Sequence, residues 1–432
     1  MAQFPKVGIV YLSYHSEPYF ERAFKAILAS NYSRDRLELI IIDNPHSEFG
    51  SSVNFIKSTV EGYNTPATVL PLNGGGGERG HAASLTLSPV RGEIQRGVLP
   101  RVTILPQEKN LGFAGGNNVG IKKVLELGCE YVYLHNQDGF VEPRTIQKLV
   151  EVMESDKTVG AAQSLIMLYP ETDLVNTTGN AFHYLGFGYS GGLRQTVSQL
   201  SFRPKRSEVE KSLDPCAATV KGSLDSASAP LGMTKPKTLE IIEIGYASGA
   251  SLMMRSDLLK KYGALDEDLF LYHEDLEYSL RLKSVGYCIV AVPESVFYHQ
   301  YSFSRNKDKY YLMERNRFAV ILMYYKLPTI ILLLPIAVVV ELGLISVSLA
   351  QGWSREKFRV YGYWLRPSSW SLWFAKRVHW QHTRTVSDKQ LLQGAVSTIK
   401  FDDDAINNPV LRYFANPVMT AYWFLVKKLI VW

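Results

Sequence analysis

The sequence predicts an α/β protein followed by a helical, membrane-associated C-terminal region, on three observations. Apolar runs rich in β-branched residues alternate with segments of helical period through the N-terminal part of the chain. Polar residues recur just past the ends of those runs, where open α/β sheets collect ligands. From Leu327 onward the pattern changes to a long apolar stretch and then to a basic, Trp-rich tail.

The elements follow in order. Val7 to Leu12 reads as a strand, Tyr19 to Ala29 as a helix, and Leu39 to Ile42 as a second strand closed by Asp43 and Asn44, which makes a βαβ opening. Val102 to Leu105 supplies a further strand, Ala114 to Leu127 a helix, and Tyr131 to Leu134 a strand that ends at Asp138. Tyr14, Asp43, Asn110 and Asp138 thus lie just past strand ends and are expected to line one crevice. A helix is expected over Leu276 to Leu282, opened by Glu274 and Asp275.

Two stretches break the alternation, and residues 72–101 and 194–240 are expected to be mobile loops. The first holds Asn-Gly-Gly-Gly-Gly-Glu-Arg-Gly at 73–80, which resembles the G-G-x-G-x-R signature of sugar nucleotidyltransferases but follows an extra βα unit rather than the first strand. Gly186 to Gly191 satisfies G-x-G-x-x-G without a surrounding βαβ unit, so a turn-rich loop or hairpin is expected there.

Composition supports a folded body. The chain has 432 residues, 46% hydrophobic and 20% charged, enough for two or three units with a sizeable core. Its three cysteines lack C-x-x-C spacing, which argues against a zinc knuckle. The first residues lack the apolar core of a signal peptide, so the N-terminal part is expected to stay in the cytosol.

From Leu327 to Ala350 the only formal charge is Glu341, and at ~1.5 Å per residue this stretch reaches ~36 Å, enough to cross ~30 Å of hydrocarbon. Residues 318–352 are therefore expected to be membrane-embedded. Lys and Arg flank the stretch on both sides, so the positive-inside rule gives no direction. A break near Pro335 would let the segment dip in and return; a continuous helix would cross. The remaining tail, 353–432, is expected to be an interfacial helical region: between 351 and 400, nine Lys or Arg face two acids among five Trp. Nucleic-acid binding uses the same residue types, but the adjoining apolar stretch favours lipid, and no nucleic-acid partner is expected.

Six motifs carry a resemblance. Ser-Tyr-His at 13–15, Ile-Ile-Asp-Asn at 41–44, Lys-Asn-Leu-Gly-Phe-Ala-Gly-Gly-Asn-Asn-Val-Gly at 109–120, His-Asn-Gln-Asp at 135–138, Ser-Gly-Ala-Ser-Leu-Met-Met-Arg at 248–255 and His-Glu-Asp-Leu-Glu-Tyr-Ser-Leu-Arg at 273–281 follow one another as in family 2 glycosyltransferases. The chain most resembles the rhamnosyltransferase-like branch, of bacterial type, over residues 1–317 outside the two loops. The resemblance implies the GT-A fold, a Rossmann-like mixed sheet of the nucleotide-diphospho-sugar transferases.

The same resemblance implies roles. Asp275 would be the catalytic base, with Glu274 as its backup, although an acid opening a helix can merely cap it, with a lowered pKa. Donor-binding positions are Ser13, Tyr14, Asp43, Asn110, Gly112, Gly115, Gly116, Asn118, Gln137, Arg281 and Arg315. Asp43 would accept from the base ring or simply close a strand. The glycines would let amides approach a diphosphate or simply open a helix. Asp138 and His299 would hold a divalent cation, Mg2+ or Mn2+, with Asn136 standing where the family's first motif acid belongs. The implied function is inverting transfer of a sugar, rhamnose or another hexose, from a dTDP- or UDP-linked donor to a lipid-linked or cell-surface glycan hydroxyl. The catalytic domain would sit on the cytoplasmic face of the plasma (inner) membrane, against its lipids. The alternatives are a sugar nucleotidyltransferase and a catalytically silent membrane-bound scaffold of the same fold.

Overall fold

The computed structural model describes residues 4–63, 67–69, 100–199, 241–300, 307–399, 409 and 411–432. Most of the two expected loops, with the glycine run at 73–80, lies outside the described residues.

Strands β1 (Val7–Ser13), β2 (Leu37–Asp43), β3 (Ala67–Val69), β4 (Arg101–Pro106) and β5 (Tyr131–Asn136) pair in parallel in the order β5-β1-β2-β4-β3. After them come β6 (Gly139–Val141), β7 (Val159–Leu168), β8 (Val175–Thr177), β9 (Asn180–Phe182), β10 (Gly188–Ser190), β11 (Ile242–Glu243), β12 (Ser251–Arg255) and β13 (Cys288–His299). β12 runs antiparallel between β5 and β7, and β13 lies parallel beside β7, so the sheet is mixed. Two reversals across β12 restore the direction of β5. The C-terminal ends of β1, β2, β5, β7 and β13 therefore share one edge, and that edge carries the expected site. β9 and β10 form the hairpin expected around Gly186.

The sheet is covered on both faces because its strands alternate. Val7, Ile9 and Tyr11 of β1 point to α1 (Phe20–Leu28), α2 (Val53–Gly62) and α4 (Thr145–Ser155). Val10 and Leu12 point to α3 (Gly112–Glu126), α5 (Ser256–Tyr262) and α6 (Glu274–Ser284). The α/β class and the βαβ opening expected from the sequence are present.

A helical layer follows: α7 (Asp308–Tyr324), α8 (Leu327–Ala350), α9 (Ser354–Trp364), α10 (Pro367–Thr383), α11 (Asp388–Leu391) and α12 (Asn416–Leu429). It packs on α6, which sends Leu276 and Leu280 into this layer and Tyr278 and Leu282 toward the sheet. α8 is long and apolar enough to cross a membrane by length and composition. It runs unbroken through Pro335, so the broken form weighed from the sequence is not the one observed. Ala319, Val320 and Met323, in the segment expected to lie in lipid, are instead buried in the protein on α7.

Candidate active site

The chain leaves β1 toward β2 on one side and reaches β5 on the other, so the ends of β1 and β5 form the sheet's switch point, where α/β sheets bind ligands. Gln137 closes that point. Its Nε2 donates to the Tyr14 carbonyl at 2.8 Å and its Oε1 accepts from the Tyr14 N–H, so both ends of its amide are engaged by backbone. Ser13, fully buried, has its hydroxyl 2.7 Å from that of Ser16. Both residues, expected at the donor, shape the rim of the cleft.

Asp138 lies one turn further. Its Oδ1 accepts from Asn136 Nδ2 at 2.7 Å and lies 2.9 Å from His299 Nε2 at the end of β13. His299 Nδ1 is 3.1 Å from Asn176 Oδ1, which fixes the ring. The Asp138 side chain keeps 24% exposure against 8% for His299. No group of three or more His, Cys, Asp or Glu side chains suited to a metal occurs among the described residues. One carboxylate and one imidazole nevertheless fit a divalent cation that takes its other ligands from diphosphate and water. Asn136 orients Asp138 without adding a second negative charge.

The second acidic station depends on a strained turn. Phe270, Tyr272 and His273 hold φ of 65°, 66° and 69°, a region that L residues rarely adopt. Asn316, fully buried on α7, compensates: its Nδ2 donates to the carbonyls of Leu269 (2.9 Å), Leu271 (3.1 Å) and Tyr272 (2.7 Å). Arg315 Nη2 donates to those of Asp268 and Leu269, both at 2.9 Å. Arg315 thus holds this turn, a different task from the donor contact expected of it.

The turn delivers Asp275 to the first turn of α6. Its Oδ2 accepts from the Gly249 N–H at 3.1 Å and its Oδ1 from the Leu276 N–H at 2.7 Å. Those bonds lower its pKa as capping should, but burial outweighs them and pushes the carboxyl up to about 6. Burial, and then the Asp275 charge, push Glu274 well above the carboxylate range, and its Oε2 is buried without a partner. The two stations are linked: the Asn136 N–H donates to the Ala250 carbonyl at 3.0 Å, next to the Gly249 that binds Asp275.

The glycines near the start of α3 do other work than expected. The N–H groups of Leu111 and Gly112 donate to Asn44 Oδ1 and Asn110 Oδ1, both at 2.8 Å. Those of Phe113 and Ala114 donate to the Phe270 carbonyl at 2.8 and 3.2 Å. The amides expected to approach a diphosphate are thus taken. Gly112 has φ of 71°, and a Cβ there would come within 2.5 Å of the Phe270 carbonyl oxygen. A Cβ on Gly116 would meet Leu12 at 2.5 Å, and one on Gly115 would meet Leu111 at 3.1 Å, so these two serve packing. Asn118 binds Leu265 and Glu267, tying α3 to the segment before the strained turn.

Two further expected donor positions are engaged by groups of the protein itself. Asp43, buried at the end of β2, accepts from the Ser52 N–H at 3.0 Å and from the Ser51 hydroxyl, the strand-closing role; burial raises its pKa. Arg281 is buried, paired with Glu277 and bonded to the carbonyls of Tyr262 and Gly263 at 3.1 and 3.0 Å. It lies six residues after Asp275, and at ~100° per residue that puts it on another side of α6, away from the switch point.

Sequence reasoning missed His46 and Phe49, and gave no role to His15 and Asn44 although both lie within its motifs. Asn44 is the buried hub that binds Asn110 and Leu111. The Tyr14 ring lies 4.5 Å from that of His46, and His15 stacks on Phe49 at 4.1 Å, so an aromatic cluster with an exposed edge borders Asp43. Its signal was positional: two loops with aromatic residues, each directly after a strand that ends at the switch edge.

Residues 91–204 match the family model described as Glycosyl transferase family 2. No curated protein is matched by the sequence. Among solved structures, GalNAc-T7 with UDP, GalNAc and Mn2+ is similar at 13% identity and a TM-score of 0.47, over 76% of this chain and 49% of that one, so the chain spans about half its length. A mannosyltransferase of Pyrobaculum calidifontis in complex with GDP-Man and Mn2+ is similar at 13% identity and a TM-score of 0.41, over 99% and 88% of the two chains. S. aureus TarS 1–349 is similar at 11% identity and 0.42, over 98% and 90%.

Proposed function

We propose, from the family 2 glycosyltransferase domain that this chain carries, that it is an inverting enzyme moving a sugar, rhamnose or another hexose, from a dTDP- or UDP-linked donor to a hydroxyl of a lipid-linked or cell-surface glycan. The observation that carries the reading is the short bonded path Asp275–Gly249–Ala250–Asn136–Asp138, which ties a basic carboxylate to a pair of side chains that could hold a cation. Such a pairing suits single displacement.

Asp138 and His299 would hold Mg2+ or Mn2+, which when bound offsets charge on the leaving diphosphate. Asp275 takes the proton of the acceptor hydroxyl as that oxygen bonds to the anomeric carbon; the bond from that carbon to the diphosphate oxygen breaks, and the nucleoside diphosphate leaves with the electron pair. A carboxyl with a pKa of about 6 is ionised at neutral pH yet more basic than an ordinary aspartate. Burial and the Asp275 charge push the neighbouring Glu274 toward its neutral form, which limits the negative charge that the acceptor meets. Tyr14 and the cluster of His15, His46 and Phe49 offer a face on which a nucleobase can stack. In this reading the catalytic domain works at the cytoplasmic face of the plasma membrane, where the apolar C-terminal layer would bring a lipid-borne acceptor within reach.

The test is donor hydrolysis. A panel of UDP-, dTDP- and GDP-sugars, each with and without Mg2+ or Mn2+, should give release of nucleoside diphosphate with at least one donor, lost in Asp275→Asn while nucleotide still binds. Release of pyrophosphate from a nucleoside triphosphate and a sugar 1-phosphate would instead identify a nucleotidyltransferase. Hydrolysis that persists in Asp275→Asn would remove the base.

A further inference from the structure

α8 is apolar enough to cross a bilayer, yet both of its ends are tied to one body. At its C-terminal end Lys307 Nζ donates to the Gly352 carbonyl at 2.7 Å, and Tyr310, in the first turn of α7, stacks on Trp353 at 4.7 Å. At its N-terminal end the Lys326 N–H donates to Asp388 Oδ2 at 2.9 Å, and Trp432 Nε1 donates to Thr329 Oγ1 at 2.9 Å. Between the ends, Glu341 pairs with Arg317 of α7 and, at 2.7 Å, with Lys357 of α9, which is fully buried. α7 itself holds the strained turn before Asp275 through Arg315 and Asn316. A crossing α8 would have to draw this charged assembly, and the turn with it, into ~30 Å of hydrocarbon.

The outward faces of the layer have a different character. Ile331, Leu334, Val338 and Leu342 form an exposed apolar stripe on α8, at the three- and four-residue steps of one helix face. Trp370, Phe374 and Val378 repeat that pattern on α10, and Leu425 and Leu429 on α12. Leu333 of α8, Trp373 of α10 and Trp423 of α12 belong to one buried core, and the Tyr422 hydroxyl donates to the Leu332 carbonyl, so the stripes are the outer sides of helices packed together. Arg355, Arg366, Arg412, Lys427 and Lys428 are exposed on the same helices or next to them. Among the described residues from 327 onward no carboxylate is exposed.

We infer that α8, α10 and α12 form a one-sided docking face for an anionic bilayer, with α8 lying in the plane of one leaflet and not crossing it. Apolar stripes bordered by cations and Trp match the boundary between headgroups and acyl chains. This deepens the membrane reading under the proposed function.

The full chain is mixed with preformed vesicles of phosphatidylcholine, with and without phosphatidylglycerol, and floated. It should bind the anionic vesicles about tenfold better than the neutral ones, and the paired variant Ile331→Glu, Val338→Glu should lose about tenfold in binding while donor hydrolysis in solution is unchanged. In membranes of an expressing cell, cysteines introduced as Lys326→Cys and Gln351→Cys, at the two ends of α8, should react with an impermeant maleimide from the same side. Labelling from opposite sides would overturn the in-plane placement. Equal binding to both vesicle types would remove the anionic surface as partner, and a stable dimer split by the paired variant, with no vesicle binding, would show that a second copy covers the face. Vesicle binding without donor hydrolysis would spare this inference and sink the proposed function.

Discussion

The two acidic stations differ in the way their charge is managed. Asp138 stays partly open to solvent, with an amide and an imidazole both directed at one of its oxygens. Asp275 is half-buried too, but both of its oxygens are held by backbone N–H groups, which fail to offset the desolvation that raises its pKa. One environment suits an added positive charge; the other favours gaining a proton. Two carboxylates of one type thus acquire different chemistries from the groups set around them.

Removing the basic station should have the largest effect. Asp275→Asn should lower kcat by about 10^3. Because the folded pKa, about 6, lies above the usual aspartate value of 3.8, the native state keeps a costly charge above pH 6, and that cost vanishes as pH falls below about 4. The neutral variant should therefore match or exceed the parent Tm at pH 8, which separates lost chemistry from lost folding. Asp138→Ala should cost about 10^2 in kcat/KM and raise the cation concentration needed for half-maximal rate, read from Mn2+ titrations. The parent's kcat/KM should be level above pH 6 and fall about tenfold per unit below it; a limb that moves in Glu274→Gln would report the charge coupling between the neighbours. Asn316→Ala, which strips three carbonyls of their donor, should cost about 2 kcal/mol of stability and about tenfold in kcat with donor KM retained, as expected of a positioning residue. The smallest change is Asn136→Asp: a second carboxylate beside Asp138 should tighten cation binding a few-fold and make the rate without cation lower still.

Much of the sheet was legible because β1, α1, β2, α3 and β5 are short and strictly patterned, and their carboxyl ends predicted where Tyr14, Asp43, Asn110 and Asp138 gather. The meeting of Asp138 with His299 was also implied by the family resemblance, although the reason for it, the parallel placement of β13 beside β7, was not legible. Roles were harder to read than places. The glycines at 112 and 116 look alike in sequence, yet one admits a carbonyl and the other a leucine, a distinction that only the partner decides. Arg281 reads as a free cation near an active helix until Glu277 and the carbonyl of Tyr262 close around it. Three departures into positive φ within four residues, at Phe270, Tyr272 and His273, have no local signal, because none is glycine; the compensating donor lies on α7, in Asn316.

The salt-bridged Glu341 has a consequence for biogenesis. Arg317 emerges from the ribosome before it, whereas Lys357 and Tyr361 come only afterwards, so for a time the greasiest part of the nascent chain carries a carboxylate with two of its three partners still unmade. Its charge pairing is complete only once α9 has been made and packed against α8.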